Sequence, residues 1–222
     1  MFDTVLIAGL GLMGGSMAKT IKARTLSRVL GWNRTRATAE QALADGSIDA
    51  IATEALYKEA DLVIIGLYPQ ATVDWLLENM PKMKKGCVIV DMVGVKQFMV
   101  DHLEQAALDA GVHYVGGHPM AGREFSGLDF ALSTLFDGAS MIFVPTKSST
   151  ERVLEQLEAY FMSLGFGQTV RCTAQQHDHM IAFTSQLAHV VSSDVHQKSG
   201  GGQAQRLFGG QLQGSDACCQ AE

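Results

Sequence analysis

The sequence predicts an α/β fold with a doubly wound, mostly parallel sheet, and three observations carry that expectation. Short apolar runs alternate with helix-compatible segments from Val5 to Val144, the pattern of strand–helix–strand units wound into one sheet. One of these runs, Asp61-Leu-Val-Ile-Ile-Gly-Leu67, is apolar without alternation, as a parallel strand covered on both faces must be. The first run, Val5 to Ala8, passes into glycines spaced G-x-G-x-x-G at Gly9, Gly11 and Gly14, and a helix-compatible segment, Met17 to Ala23, follows at once. Strand, glycine turn and helix in that order define a Rossmann-type dinucleotide-binding unit.

Each glycine has a separate task. Gly9 permits the tight turn out of the strand, Gly11 lets the backbone approach a pyrophosphate, and Gly14 lets the helix pack on the sheet. The helix start then offers unpaired N–H groups and a positive dipole end to phosphates. The whole turn, Gly9, Leu10, Gly11, Leu12, Met13 and Gly14, is therefore the expected cofactor cradle.

The remaining elements follow in order. Arg28 to Trp32 reads as the second strand and ends at Asn33-Arg34-Thr35-Arg36. An acidic residue in this place would bind the adenosine ribose hydroxyls. Asn33 stands there instead, with Arg34 and Thr35 beside it; a carboxylate repels a 2′-phosphate, whereas a guanidinium binds one. The expected cofactor is NAD or NADP, with a lean to NADP. Thr38 to Ala44 is a short helix with Gly46 placed as its C-cap. Ile48 to Ala52 is the third strand and Asp61 to Leu67 the fourth, followed by Tyr68-Pro69 and a helix from Gln70 to Met80. Pro69 suits a helix start; Leu67 and Pro69, at a strand's carboxyl end, join the cofactor-binding set.

Cys87 to Asp91 is the fifth strand, Gln97 to Ala110 the next helix, and Val112 to Val115 begins the sixth strand, which runs into Gly116-Gly-His118-Pro-Met-Ala-Gly-Arg123-Glu124. Ala139 to Val144 is the seventh. Ser148 to Leu164 carries Val153, Leu154, Leu157 and Phe161 at helical period, and Gln168 to Cys172 reads as a short edge strand. Ala174 to Ser193 is a long helix with Met180, Phe183, Leu187 and Val190 on one face. The expected organisation is a dinucleotide-binding domain over 1–146, linker helices beginning a helical second domain over 147–193, and a Gly- and Gln-rich tail over 194–222 that supplies no core.

Composition narrows the function classes. A chain of 222 residues buries an ample core, and a net charge of −6 argues against nucleic acid as partner. No apolar run is long enough for a bilayer, and Val5 to Ala8 is too short for a signal-peptide core, so no membrane and a cytoplasmic location are expected. The cysteines lack metal-ligand spacing, and HExxH, CxxC and G-x-S-x-G are all absent, so no metal, zinc-protease or serine-hydrolase chemistry is expected. His118, at a strand end among glycines and near Glu124, is the candidate for proton transfer, since imidazole titrates near neutrality. His177, His179 and His189 read, on spacing alone, as solvent-facing or packing residues of the long helix.

Several runs together resemble the prephenate dehydrogenase family, which includes the arogenate dehydrogenases. They are Gly9 to Ser16, Asp91 to Lys96, Gly116 to Glu124 with Ser126-Gly127, and His177-Asp178 followed by Ser185-Gln-Leu-Ala-His189. The resemblance spans Val5 to Ser193. It implies oxidative decarboxylation of prephenate to 4-hydroxyphenylpyruvate with NAD(P), His118 as the base and Glu124 as a supporting or gating carboxylate. It also implies Arg123, Ser126 and His189 near the substrate, and a homodimer built by the later helices. Arogenate as substrate, or a nucleotide-binding remnant without catalytic competence, are the alternatives. Two departures stand out: Gly94 occupies a place where serine is usual, and Gln186 and Ala188 replace a frequent His and Pro.

The tail reads as out of frame. In the family the long helix leads to a stretch resembling GFSAGSFKDLTRVAKL, whose arginine is taken to bind a substrate carboxylate. Codons for Arg206 through Glu222 can be chosen so that reading from the second base spells that stretch without a break. The expectation is a truncated chain, doubtful as a homodimer, that binds dinucleotide but turns substrate over poorly or not at all. It also accounts for the adjacent Cys218 and Cys219, which an evolved cytosolic surface rarely exposes.

Overall fold

The computed structural model describes residues 2–184. Its elements are β1 (Thr4–Ala8), α1 (Leu12–Arg24), β2 (Arg28–Trp32), α2 (Arg36–Ala44), β3 (Ala50–Ile51), α3 (Glu54–Tyr57) and β4 (Leu62–Ile65). They continue with α4 (Pro69–Asn79), β5 (Val88–Asp91), α5 (Gln97–Ala110), β6 (His113–Pro119), β7 (Ser140–Pro145), α6 (Glu151–Ser163) and β8 (Gln168–Arg171). A further helix begins at 174 and is described to 184. His189 and the expected tail, 194–222, lie outside the described residues.

One eight-stranded sheet runs β3-β2-β1-β4-β5-β6-β7-β8. From β3 to β6 every neighbour is parallel; β7 is antiparallel to β6, with His118 opposite Ile142, and β8 returns parallel to β7. The doubly wound, mostly parallel arrangement is thus the one expected. α6 and β8, assigned from sequence to the linker region, extend and cover this same sheet.

The strand sequences explain why both faces are covered. Successive side chains of a strand point to opposite faces, so in β1 Val5 and Ile7 join one apolar layer while Leu6 and Ala8 join the other. The first layer is closed by Met17, Ala18 and Ile21 of α1 and by Leu154, Leu157 and Phe161 of α6. The second is closed by Val73 and Leu76 of α4 and by Met99 and Leu103 of α5. Each such side chain taken from water contributes about 1.5–3 kcal/mol, far more than the exposed ion pairs on the helix surfaces contribute. Pro69 occupies the first turn of α4, as expected, and Thr150 caps α6 by accepting from the N–H of Val153.

Two features differ from expectation. The third strand shrinks to Ala50–Ile51, at the sheet edge where only β2 is available to pair. α3 fills the next stretch and seats Tyr57 against Trp75, ring centroids 5.6 Å apart. Four residues are too few to display a helical period in sequence. Among the described residues no helix is long and apolar enough to cross a membrane.

Candidate active site and nucleotide cleft

The order of the sheet reverses between β1 and β4, and in open α/β sheets ligands bind at that point, outside the carboxyl ends of the strands. The glycine turn sits there. Gly9 has φ +93°, and a Cβ on it would stand 2.7 Å from the carbonyl oxygen of Gly66, just past β4. A Cβ on Gly14 would stand 1.8 Å from the carbonyl oxygen of Gly9, so α1 can press onto the turn only through glycine. Gly11 is the opposite case: a Cβ there would meet nothing within 4 Å. Two glycines make the packing and the third leaves open space before the first turn of α1, whose N-terminal N–H groups have no side-chain cap at Gly11.

Asn33 braces this cradle. Its Oδ1 accepts from the N–H of Leu10 at 3.0 Å and its Nδ2 donates to the carbonyl of Thr35 at 3.1 Å. Arg36 is drawn into an ion pair with Glu40, whereas the exposed Arg34 enters no ion pair among the described residues. A cavity of 430 Å³ opens here, lined by Gly9, Gly11, Asn33, Arg34, Thr35 and Leu67, with Asp74 and Glu78 of α4 on its wall. A second, of 310 Å³, shares Gly11 and Leu67 and continues past Leu12 and Met13 to Met92 and Ser126. The expected cofactor-binding residues are therefore brought together, with Leu10 buried beneath the turn and Pro69 opening α4 alongside.

His118 lies near the end of β6, beyond the middle of the sheet. Its Nδ1 is 2.8 Å from Nε2 of His177, which is fully buried, and Nδ1 of His177 is 2.7 Å from Oδ1 of Asp178. Asp178 in turn accepts the N–H groups of Lys96 at 2.8 Å and Gln97 at 2.9 Å, capping α5 from a distant segment. A carboxylate is favoured at that positive helix end. Beside it Asp91, at the end of β5, pairs with Lys96, both fully buried, and accepts from the Tyr114 hydroxyl and the Val93 N–H.

These surroundings settle charge states. Burial first, then the neighbouring His177 and Lys96, pull His118 down to about 4, against the opposing pull of Asp91 and Asp178. Burial likewise lowers His177, although Asp178 works against it. Asp178 itself is pushed up by burial but held below the usual carboxylate value by the Gln97 N–H, His177 and the Lys96 N–H. At neutral pH His118 is thus uncharged, though its surroundings hold it less basic than a free imidazole. Its Nε2 edge faces Gly94, where an added Cβ would stand 3.7 Å from both Cε1 and Nε2.

The remaining expected residues sit on the loop after β6. Arg123 lies over the Phe125 ring, 5.2 Å from its centroid. Glu124 is exposed, and no described hydrogen bond or ion pair joins it to His118. Ser126 lines the second cavity. Sequence spacing passed over His177 and Asp178 as members of the His118 cluster. A local signal precedes them: Thr173 and Gln176 form a reciprocal capping box, the Gln176 N–H donating to Thr173 Oγ1 at 3.2 Å and the Thr173 N–H to Gln176 Oε1 at 2.9 Å. That box fixes where the helix begins, and so the face that carries His177.

A glycine cradle at the switch point of a doubly wound sheet, with a histidine at the end of β6 in the same sheet, defines a Rossmann-type nucleotide-binding domain. The family described as prephenate dehydrogenase, nucleotide-binding domain, matches residues 17–168, and the chain belongs to it. The chain is 34% identical over 202 residues to the prephenate dehydrogenase of Bacillus subtilis, covering 89% of this chain and 54% of that protein. It is 30% identical over 197 residues to the cyclohexadienyl dehydrogenase of Zymomonas mobilis, covering 86% and 65%. It therefore spans little more than half the length of the first relative and under two thirds of the second. Among solved structures, Synechocystis arogenate dehydrogenase superposes with a TM-score of 0.78 at 26% identity, over 91% of this chain and 71% of that one. The Aquifex aeolicus prephenate dehydrogenase, in complex with hydroxyphenyl propionate and NAD+, gives 0.78 at 25% identity, over 89% and 69%.

Proposed function

We propose that this chain binds NAD or NADP in the cleft over β1 and β4 and serves an NAD(P)-dependent oxidative decarboxylation of prephenate. Arogenate is the alternative substrate. The observation that carries this reading is the uncharged His118 at the end of β6, in the same sheet as the glycine cradle, its Nε2 edge turned toward Gly94, which has no side chain. The cleft fits a dinucleotide: open space before Gly11, free N–H groups at the start of α1, and two adjoining cavities that share Gly11 and Leu67. When bound, the nicotinamide accepts a hydride.

The chain's own residues do the rest. His118 Nε2 takes the proton of the substrate ring hydroxyl, an effect worth about 10²–10⁴ in rate. Arg123 and Ser126, on the loop that edges the second cavity, hold the substrate, and Glu124 supports or gates its entry. The Arg34 guanidinium, unpaired with any described carboxylate, favours the 2′-phosphate of NADP. An assay of prephenate and arogenate with each cofactor, run beside a His118→Asn variant, tests the reading. Turnover that needs His118 supports it; a preparation that binds dinucleotide but oxidises neither substrate contradicts the catalytic half.

A further inference from the structure

Behind His118 the side chains stand in single file: His118 Nδ1 to His177 Nε2 at 2.8 Å, His177 Nδ1 to Asp178 Oδ1 at 2.7 Å, and Asp178 onto the backbone N–H groups that open α5. We infer that His177 and Asp178 are positioning residues that lock His118 in the Nδ1–H tautomer, leaving Nε2 as its bare, proton-accepting nitrogen. The inference rests on the proposal that His118 is the base.

The argument is one of hydrogen-bond bookkeeping. An ionised carboxylate accepts and cannot donate. Asp178 already accepts from two backbone N–H groups at a helix start, a setting that holds it ionised. The proton between Asp178 and His177 must then reside on His177 Nδ1. A neutral imidazole with a proton on Nδ1 offers only a lone pair at Nε2. The proton between the two rings must therefore belong to His118 Nδ1, and His118 Nε2 is left bare, on the edge that faces Gly94.

The competing arrangement protonates His177 on both nitrogens and turns the His118 tautomer around. It places a second cation in a fully buried site next to Lys96, which burial and like charge both oppose. The groups that bear on the two rings are Lys96 on one side and Asp91 and Asp178 on the other, and Asp91 is already committed to Lys96 and Tyr114. A carboxylate that orients an imidazole is familiar from hydrolytic triads; here a second imidazole stands between.

Nitrogen-15 spectra of the histidine rings in the full 222-residue chain at pH 7 test this without any substrate or cofactor. The expected result is a His118 ring with a protonated Nδ1 and a bare Nε2. Asp178→Ala removes the acceptor that fixes the His177 proton on Nδ1, and His118 loses its single Nδ1–H tautomer for a mixture of both. His177→Phe removes the acceptor of His118 itself and likewise leaves a mixture, so a poorly folding Asp178→Ala does not end the test. A wild-type His118 carrying its proton on Nε2, or a tautomer unchanged in a folded variant of either kind, overturns the inference. Dinucleotide affinity and turnover, measured separately, report on the proposed function instead and are independent of the ring spectra.

Discussion

Replacing His118 by asparagine keeps a small polar side chain at the end of β6 but removes the imidazole. If His118 takes the substrate proton, His118→Asn leaves dinucleotide affinity unchanged and lowers turnover by about 10² or more; steady-state kinetics beside a binding titration check it, and retained turnover with an unchanged pH profile removes the assignment. Gly94 supplies the complementary experiment. A Cβ there would sit in ordinary contact, 3.7 Å from His118 Cε1 and Nε2, with no backbone in the way. Gly94→Ser therefore places a hydroxyl where it can meet either the ring or a bound substrate. One such hydrogen bond contributes about 0.5–1.5 kcal/mol, or roughly 2- to 10-fold in rate. The expected outcome is a rise in turnover of that size with stability unchanged, and a fall in turnover counts against a free Nε2 edge.

At the scale of elements, the first βα unit separates packing from binding. Gly14→Ala puts a methyl group 1.8 Å from the Gly9 carbonyl oxygen, so the turn or α1 must shift, at a cost of about 1–3 kcal/mol or more. Gly11→Ala meets nothing, so it should leave the denaturation midpoint in place while weakening dinucleotide binding. Paired denaturant titrations of the two variants check this contrast. The same local causes explain why so much of the fold was legible in sequence. Gln97–Ala110 is legible with its observed bounds because its apolar period, first turn and the glycine that ends it are all encoded locally. α3 is too short to show a period. The His118 cluster was legible only in part. The His118–His177 contact joins residues 59 positions apart and the Asp178 cap on Lys96 spans 82, and no spacing rule connects a histidine on one strand with a pair four elements later. Asn33 shows the converse. Its place put it among the cofactor-binding residues, while the structure gives both ends of its amide to the backbone of Leu10 and Thr35.

For the molecule as a whole, buried neutral histidines make stability depend on pH. His118 is lowered to about 4 in the folded chain, by burial first, and His177 is lowered as well. Unfolded, each takes a proton near its ordinary value of 6.5. Between about pH 6.5 and 4 the unfolded chain thus binds more protons, so stability is full above 6.5 and falls as the pH drops toward 4. Asp45, Asp49, Asp61 and Asp178, all lowered from 3.8, act in the other part of the range and weaken the fold only below about 4. Unfolding free energies from pH 8 to 4 should show this slope in the wild type and a shallower one in His118→Asn; a flat wild-type profile contradicts the charge states assigned to the cluster. The two apolar layers, the sheet order and the glycine turn converge on one claim, that the crevice between β1 and β4 holds a dinucleotide. Calorimetric titration of the chain with NADP and with NAD tests it most directly. The expected result is saturable binding of both, NADP at least as tightly as NAD, with the NADP advantage reduced several-fold in Arg34→Ala; a folded chain that binds neither dinucleotide contradicts the account.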